Sequence, residues 1–328
     1  MRLGKLSNDQ LNTLVLSKFK HIRPEVICSP QVGVDCAAVQ LGGRLAVLST
    51  DPITSAGQNL GWLTVHVSCN DAAAAGAEPI GLLVTLLAPP TASEADIGRV
   101  ADELSEAARQ ANIDIIGGHT EVTDSVTRMV TCATVIARAG ERGVITPDGM
   151  REGDDVVMTK YAGLEGTAVI AADFAHRLTA LSANELEQAR GFLQYVSVVK
   201  EGLFAAEHGA TALHDITEGG VYGAAWEMAS ASGCGIRLFE ESIPLHPLTQ
   251  KICALLAIDP YRLLSSGSML IACANGQGLV SGLGALGIGA AVIGKAGGQG
   301  VRLTSGELLL PPEADALYGL FADVETKS

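Results

Sequence analysis

Residues 60–90 read LGWLTVHVSCNDAAAAGAEPIGLLVTLLAPP. Residues 60–75 suit a helix of very small side chains ending at Gly76, since glycine takes the left-handed turn that closes a helix. Residues 80–88 form a continuous apolar run closed by Pro89-Pro90, the pattern of a buried strand. Upstream lie short apolar strands at 37–40 and 45–49, a loop over 21–30, and a first helix that Ser7 caps, with Leu11, Leu14, Val15 and Phe19 on one side. Downstream, Ser93 with Asp96 resembles a capping box, and Ile97, Val100, Ala101, Leu104, Ala107, Ala108 and Ala111 recur at helical spacing. Strands follow at 113–116 and 126–137.

A break in composition at 141–155, with Arg142-Gly143, Pro147-Asp148-Gly149 and Glu152-Gly153-Asp154-Asp155, marks the junction of two domains, 1–148 and 149–328. The second half again alternates. A strand at 156–159 is followed by helices near 185–195, 198–208 and 221–231 and strands near 211–214, 268–274 and 290–293. The fold class is therefore α/β (α+β) with two domains, as a length of 328 residues also implies. Hydrophobic residues are 48% of the chain but aromatics only 4%, so Ala, Val, Leu and Ile must build the core.

A net charge of -14 without any run of Lys and Arg argues against a nucleic-acid partner. No apolar run approaches the roughly 18 residues of a membrane span, and the N-terminal residues do not read as a signal peptide. Seven scattered cysteines without a CxxC pair fit reduced, mostly buried thiols, so a cytoplasmic location is expected.

Four segments of the first half place polar or acidic groups where an apolar element meets a turn: GVDCAAV (33–39), STDPIT (49–54), NDAAAAGAEP (70–79) and GGHTEVT (117–123). Magnesium takes hard carboxylate oxygens and shares its remaining positions with water and phosphates, so Asp35, Asp51 and Asp71 are suitable ligands. Singly, each also suits a turn or a helix cap. As a set the functional reading is the better one. In the second half, His214-Asp215-Ile216-Thr217-Glu218-Gly219-Gly220 lies between strand and helix, where backbone N–H groups can face an anion, or Thr217 or Asp215 can simply cap the helix. Paired Gly117-Gly118 beside His119 permits a close backbone approach to a ligand. His66 and Cys69 read as core residues, Lys160 and Glu165 as ordinary exposed ones, and the GxGxxG match at 282–287 as a decoy, since it falls late in a helix. With no GxxxxGK[ST], a P-loop is excluded.

Taken in order, these segments resemble the superfamily of AIR synthase, HypE, selenophosphate synthetase and thiamine-monophosphate kinase, and most of all its AIR synthase-related, HypE-like group. GVDCAAV is similar to that superfamily's GDDAAV, STDPIT to TTDS, NDAAAAGAEP to NDLAAMGAEP, GGHTEV to its GGDT turn, and HDITEGGVYGAAWEMA to DPTRGGLATTLNEIA. The resemblance implies a PurM-like two-domain fold, ATP and Mg2+ as cofactors, and a homodimer formed through the N-terminal sheet. It further implies phosphoryl transfer to a carbonyl or amide-type oxygen of a small-molecule or peptide-borne acceptor. Mapped by position, Asp35, Asp51 and Asp71 would bind metal. Asn70, Gly117, Gly118, Thr217, Gly219 and Gly220 would join them in binding ATP, and His119, Glu121 and Asp215 would be catalytic. The departures are Cys36 in place of the second acid of GDDAAV and a chain end, Val324-Glu325-Thr326-Lys327-Ser328, without HypE's terminal cysteine. They leave open a non-catalytic ATP-binding partner in a maturation complex, or a small-molecule kinase.

Overall fold

The computed structural model describes residues 8–19, 21–28, 34, 36–54, 59–311 and 315–320. In chain order the elements are α1 (Asn8–Leu14), β1 (Val26–Cys28), β2 (Ala37–Leu41), β3 (Arg44–Ile53), α2 (Leu60–Ala74), β4 (Ala77–Ala88), α3 (Glu94–Ala111), β5 (Asp114–Val122) and β6 (Val130–Ala139). After a connection of turns come β7 (Asp155–Thr159), α4 (Leu164–Asp173), α5 (Ala183–Arg190), α6 (Val199–Glu207), β8 (Ala210–Ile216) and α7 (Gly220–Ser232). The rest are β9 (Ile236–Leu238), α8 (Pro247–Leu256), β10 (Ser268–Cys273), α9 (Gly276–Ala285), β11 (Ala290–Ala296), β12 (Val301–Leu303) and β13 (Leu308–Leu309). No described helix is long and apolar enough to cross a membrane.

Two sheets organise these elements. The first runs β1-β2-β3-β6-β4-β5, antiparallel except for the β4–β5 pair. Its inner face, carrying Val47, Leu82, Val84, Ala133 and Val135, is covered by α2 and α3. The second runs β13-β12-β9-β11-β7-β10-β8. Alternate residues of its central strands bury both faces: Val156, Met158 and Leu270 pack with α7, while Val157, Met269 and Ile271 pack with α6 and α9. All of β10 is buried for that reason.

The small side chains of α2 answer to its position between the sheets. Every residue of it except Trp62 is buried. A Cβ added to Gly61 would overlap Val100 O of α3, and one added to Gly202 of α6 would overlap Ala73 O on another side. Helices this close leave no room for Leu or Ile, and a helix apolar on all sides belongs in an interior. The capping box of α3 forms as read, with Ser93 Oγ accepting from Asp96 N–H and Asp96 accepting from Ser93 N–H.

Several expectations need correcting. Residues 21–30 hold a short strand, β1, paired with β2, and are not wholly loop. The segments 49–54 and 117–123 do not begin turns: the first is almost entirely within β3 and the second within β5. Strand β5 continues through Gly117 and Gly118 at φ +153° and +149°, where a Cβ on Gly118 would overlap Val84 O of the neighbouring strand. The helix expected to reach 195 ends at Arg190, and a tighter 3-10 turn completes it.

Candidate functional site

A cleft between the two sheets is lined by Val34, Cys36, Asp71, Ala74, Thr146 and Leu213, among others. Asp35 lies outside the described residues. Asp71, in the last turn of α2, is buried and accepts a 2.5 Å hydrogen bond from Ser49 Oγ. Ser49 and Asp51 alternate onto the same face of β3, the one that α2 covers, so Asp51 and Asp71 reach one region. Ser49 is the residue that sequence reading missed. Its signal was available, since a strand brings residues two apart to one side. Cys36 Sγ donates to Asp71 O at 3.2 Å.

On the second sheet, Asp215 is buried on β8 and shares a face with Leu213, which packs with Ala73 and Ala74 of α2. His214 points to the other face, with Nε2 3.1 Å from Glu227 Oε2 on α7. After the strand, the Thr217 carbonyl accepts from Gly220 N–H at 3.1 Å and from Ser265 N–H at 3.3 Å, and Gly219 stands as the N-terminal cap of α7 at φ +81°.

Asn70 is placed differently from its expected cofactor role. It is buried, its Nδ2 donates to Val196 O at 2.7 Å and its Oδ1 accepts from Val198 N–H at 2.8 Å. Its amide is thus engaged in joining α2 to the second half. His119 and Glu121 are also apart from the aspartates. In register with Thr85 and Leu87 of β4, they sit on the outer face of the first sheet, with His119 Nε2 3.3 Å from Glu121 Oε2 and both side chains exposed. The inner face carries Asp51; one chain does not bring the two groups together.

Of Lys160 and Glu165, read as ordinary exposed residues, Glu165 is buried and Lys160 is partly buried. Lys160 Nζ donates to Tyr195 O at 3.0 Å, Ser197 O at 2.6 Å and Gly267 O at 2.8 Å, and lies 2.5 Å from Glu201 Oε1 on α6. Burial lowers its pKa while Glu201 raises it. Trp62, His66 and Asn70 share one face of α2 against residues 193–198, with Trp62 Nε1 donating to Leu193 O at 2.9 Å. His66 is core as expected. Its ring lies 4.4 Å from that of Trp62, neither ring nitrogen has a hydrogen-bond partner among the described residues, and burial, aided by Lys160, pushes it down to about 4. The glycines at 282–287 lie in and just beyond α9, where Gly282 packs on the Phe204 ring. All seven cysteines are free, and among the described residues no three His, Cys, Asp or Glu groups are arranged to hold a metal ion.

Residues 33–139 match the family described as AIR synthase related protein, N-terminal domain, and 151–305 match its C-terminal domain. Carbamoyl dehydratase HypE of Rhizobium leguminosarum bv. viciae is 31% identical over 73% of this chain and 69% of its own. A hydrogenase expression/formation protein of Methanocaldococcus jannaschii is 27% identical over 73% of this chain and 70% of its own. Among solved structures, Escherichia coli HypE superposes with TM-score 0.72 at 23% identity, over 94% of this chain and 99% of that one. AaThiL complexed with AMPPCP and TMP superposes with TM-score 0.76 at 20% identity, over 96% of this chain and 98% of that one.

Proposed function

Because the chain belongs to the AIR synthase related family, with the PurM-like fold of HypE and ThiL, we propose that it is an ATP- and magnesium-dependent cytoplasmic enzyme. It transfers a phosphoryl group to a carbonyl or amide-type oxygen of a small molecule or a peptide-borne group. The observation that carries this reading is Asp71, which lines a cleft that Leu213 lines from the other sheet and is bonded by Ser49, with Asp51 two residues further along the same face of β3. Solved relatives in complex with ATP or AMPPCP, and relatives called carbamoyl dehydratase, lend it support.

Two carboxylates, with Asp35 as a third, suit a magnesium ion, which needs few protein ligands when phosphates supply the rest. Asp35, Asp51 and Asp71 would hold it, and once bound it would offset phosphate charge. Ser49 fixes the rotamer of Asp71 by its hydrogen bond. Asp215, Thr217, Gly219 and Gly220 face the nucleotide from the second domain, 149–328, across from the first, 1–148. The outer face of the first sheet, exposing Ile80, Leu83 and Ile116, suits a homodimer interface, through which His119 and Glu121 reach the partner's cleft.

Titration with Mg-ATP tests the reading. We expect saturable binding that falls at least about tenfold in Asp51→Asn and Asp71→Asn, together with ADP release in the presence of a carbamoyl- or amide-bearing acceptor. Absence of binding, or variants that bind as wild type, would end it. One observation favours a second reading: Cys36 uses its thiol to hold the Asp71 backbone where the resemblance calls for an acid. A binding protein without turnover, serving a maturation complex, would take up Mg-ATP tightly and release no ADP with any acceptor.

A further inference from the structure

The turn read as anion-facing already holds an anionic group of the chain itself. Gly219 N–H donates to Asp315 Oδ2 at 2.8 Å, Leu317 N–H donates to Asp315 Oδ1 at 2.8 Å, and the Leu264 amide is a further donor to the same carboxylate. Asp315 is 4% exposed. The segment around it is firmly seated, for Leu317 and Leu320 are buried among Leu164, Phe174, Ile252 and Leu263, and Tyr318 Oη lies 3.4 Å from Glu218 Oε1. On the same turn Gly220 packs closely on its neighbours, for a Cβ added there would fall 2.5 Å from Tyr261 O.

The surroundings do not favour a carboxylate. Glu165, 7% exposed, has one carboxylate oxygen buried without a hydrogen-bond partner among the described residues, while Ser266 bonds its side chain. Burial, with the charges of Glu218 and Asp315 added, pushes Glu165 up to about 7; burial first, then Glu218, pushes Asp315 up to about 6. A segment chosen only to fill space would carry an apolar or amide side chain here, so the acid is accounted for by the backbone donors it meets.

We propose that residues 315–320 are an intrachain latch whose Asp315 carboxylate occupies the Gly219 amide and must leave before nucleotide phosphate can use that turn. This rests on the ATP reading given above. A carboxylate and a phosphate offer the same chemistry to an N–H group, charged acceptor oxygens, and one N–H cannot serve both at full strength. Closing the latch therefore lowers apparent nucleotide affinity by the fraction of molecules in which it is shut.

The test compares the full-length chain with Asp315→Ala and Leu317→Ala. Mg-ATP affinity is titrated, and hydrogen exchange is followed over residues 215–222 and 315–320. Asp315→Ala removes the competing carboxylate, and Leu317→Ala loosens the segment while leaving it. Both should bind Mg-ATP at least about tenfold more tightly than wild type, with faster exchange at 215–222 before ligand is added. In the wild type, Mg-ATP should speed exchange over 315–320. If both variants fold and bind with unchanged affinity, or Mg-ATP leaves 315–320 as protected as before, the latch is wrong although the nucleotide site stands. If neither wild type nor variants bind Mg-ATP, the nucleotide site itself is wrong and the competition falls with it.

Discussion

The two sheets bury their apolar surface in different ways. The second is covered on both faces by helices of the same chain, so its strands are apolar at successive positions. The first is covered on one face only, and its outer face shows Ile80, Leu83 and Ile116 beside Thr50, Thr134 and His119. One sheet is covered on both sides by the chain itself, while the other leaves exposed apolar residues on the face proposed above as a homodimer interface. The same substitution should therefore do two different things. Ile216→Asp puts a charge where nothing is exposed and should cost about 4–5 kcal/mol or more, leaving little folded protein by circular dichroism. Leu83→Asp should leave the fold intact and halve the sedimenting mass, dimer to monomer. An unfolded Leu83→Asp, or one whose mass does not change, would break the comparison.

Helix α2 is the layer that both sheets share, and it is where their packing meets. Gly202→Leu would drive a side chain into Ala73 O and force α6 away from α2, at a cost of about 3 kcal/mol in urea unfolding. If that variant melts with wild-type stability, the two halves are not as closely joined as Gly202 implies. His66 sharpens the same point through pH. Its folded pKa of about 4 lies below the ordinary 6.5, so the folded chain binds fewer protons than the unfolded chain between those values. The stability it protects is complete above pH 6.5 and is lost as pH falls towards 4, to a limit of about 3 kcal/mol. Replacing His66 by Leu should flatten that acid limb relative to wild type, read from urea midpoints at pH 4.5 and 7.5.

Much of this arrangement was legible in the residues. The small side chains of 60–75 and the apolar run of 80–88 announced α2 and β4, and Ser93 with Asp96 announced the start of α3. The four ordered segments also led to Asp51 and Asp71, which the fold brings to one region. What could not be read was partnership at long range. Nothing near Asn70 reveals that its amide is engaged by Val196 and Val198, and nothing near Asp315 reveals Gly219. Lys160 and Glu165 were misread for the same reason, since burial of a charged side chain is a property of what folds over it. The strand β5 hid its course differently: paired glycines usually mark a turn, and only the neighbouring Val84 carbonyl shows why an extended strand needs them.

Asn70 offers the smallest and most local test of how α2 serves both sheets. Its side chain takes one hydrogen bond from Val198 N–H and gives one to Val196 O, and the neighbouring Lys160 and Trp62 hold Tyr195, Ser197 and Leu193 by their carbonyls. Residues 193–198 are thus tied down by side chains reaching from both halves. Asn70→Ala removes two of those bonds and leaves a buried donor and acceptor unmatched, at about 1–3 kcal/mol. Asn70→Asp should be worse than Ala at neutral pH, because a carboxylate can accept from Val198 but cannot donate to Val196, and it brings a charge into a site 1% exposed. Hydrogen exchange over 193–198 should quicken in both variants while exchange within β10, enclosed by its own helices, stays slow. If Asn70 acted chiefly on nucleotide, the outcome would be reversed: exchange at 193–198 unchanged and Mg-ATP affinity reduced in Asn70→Ala.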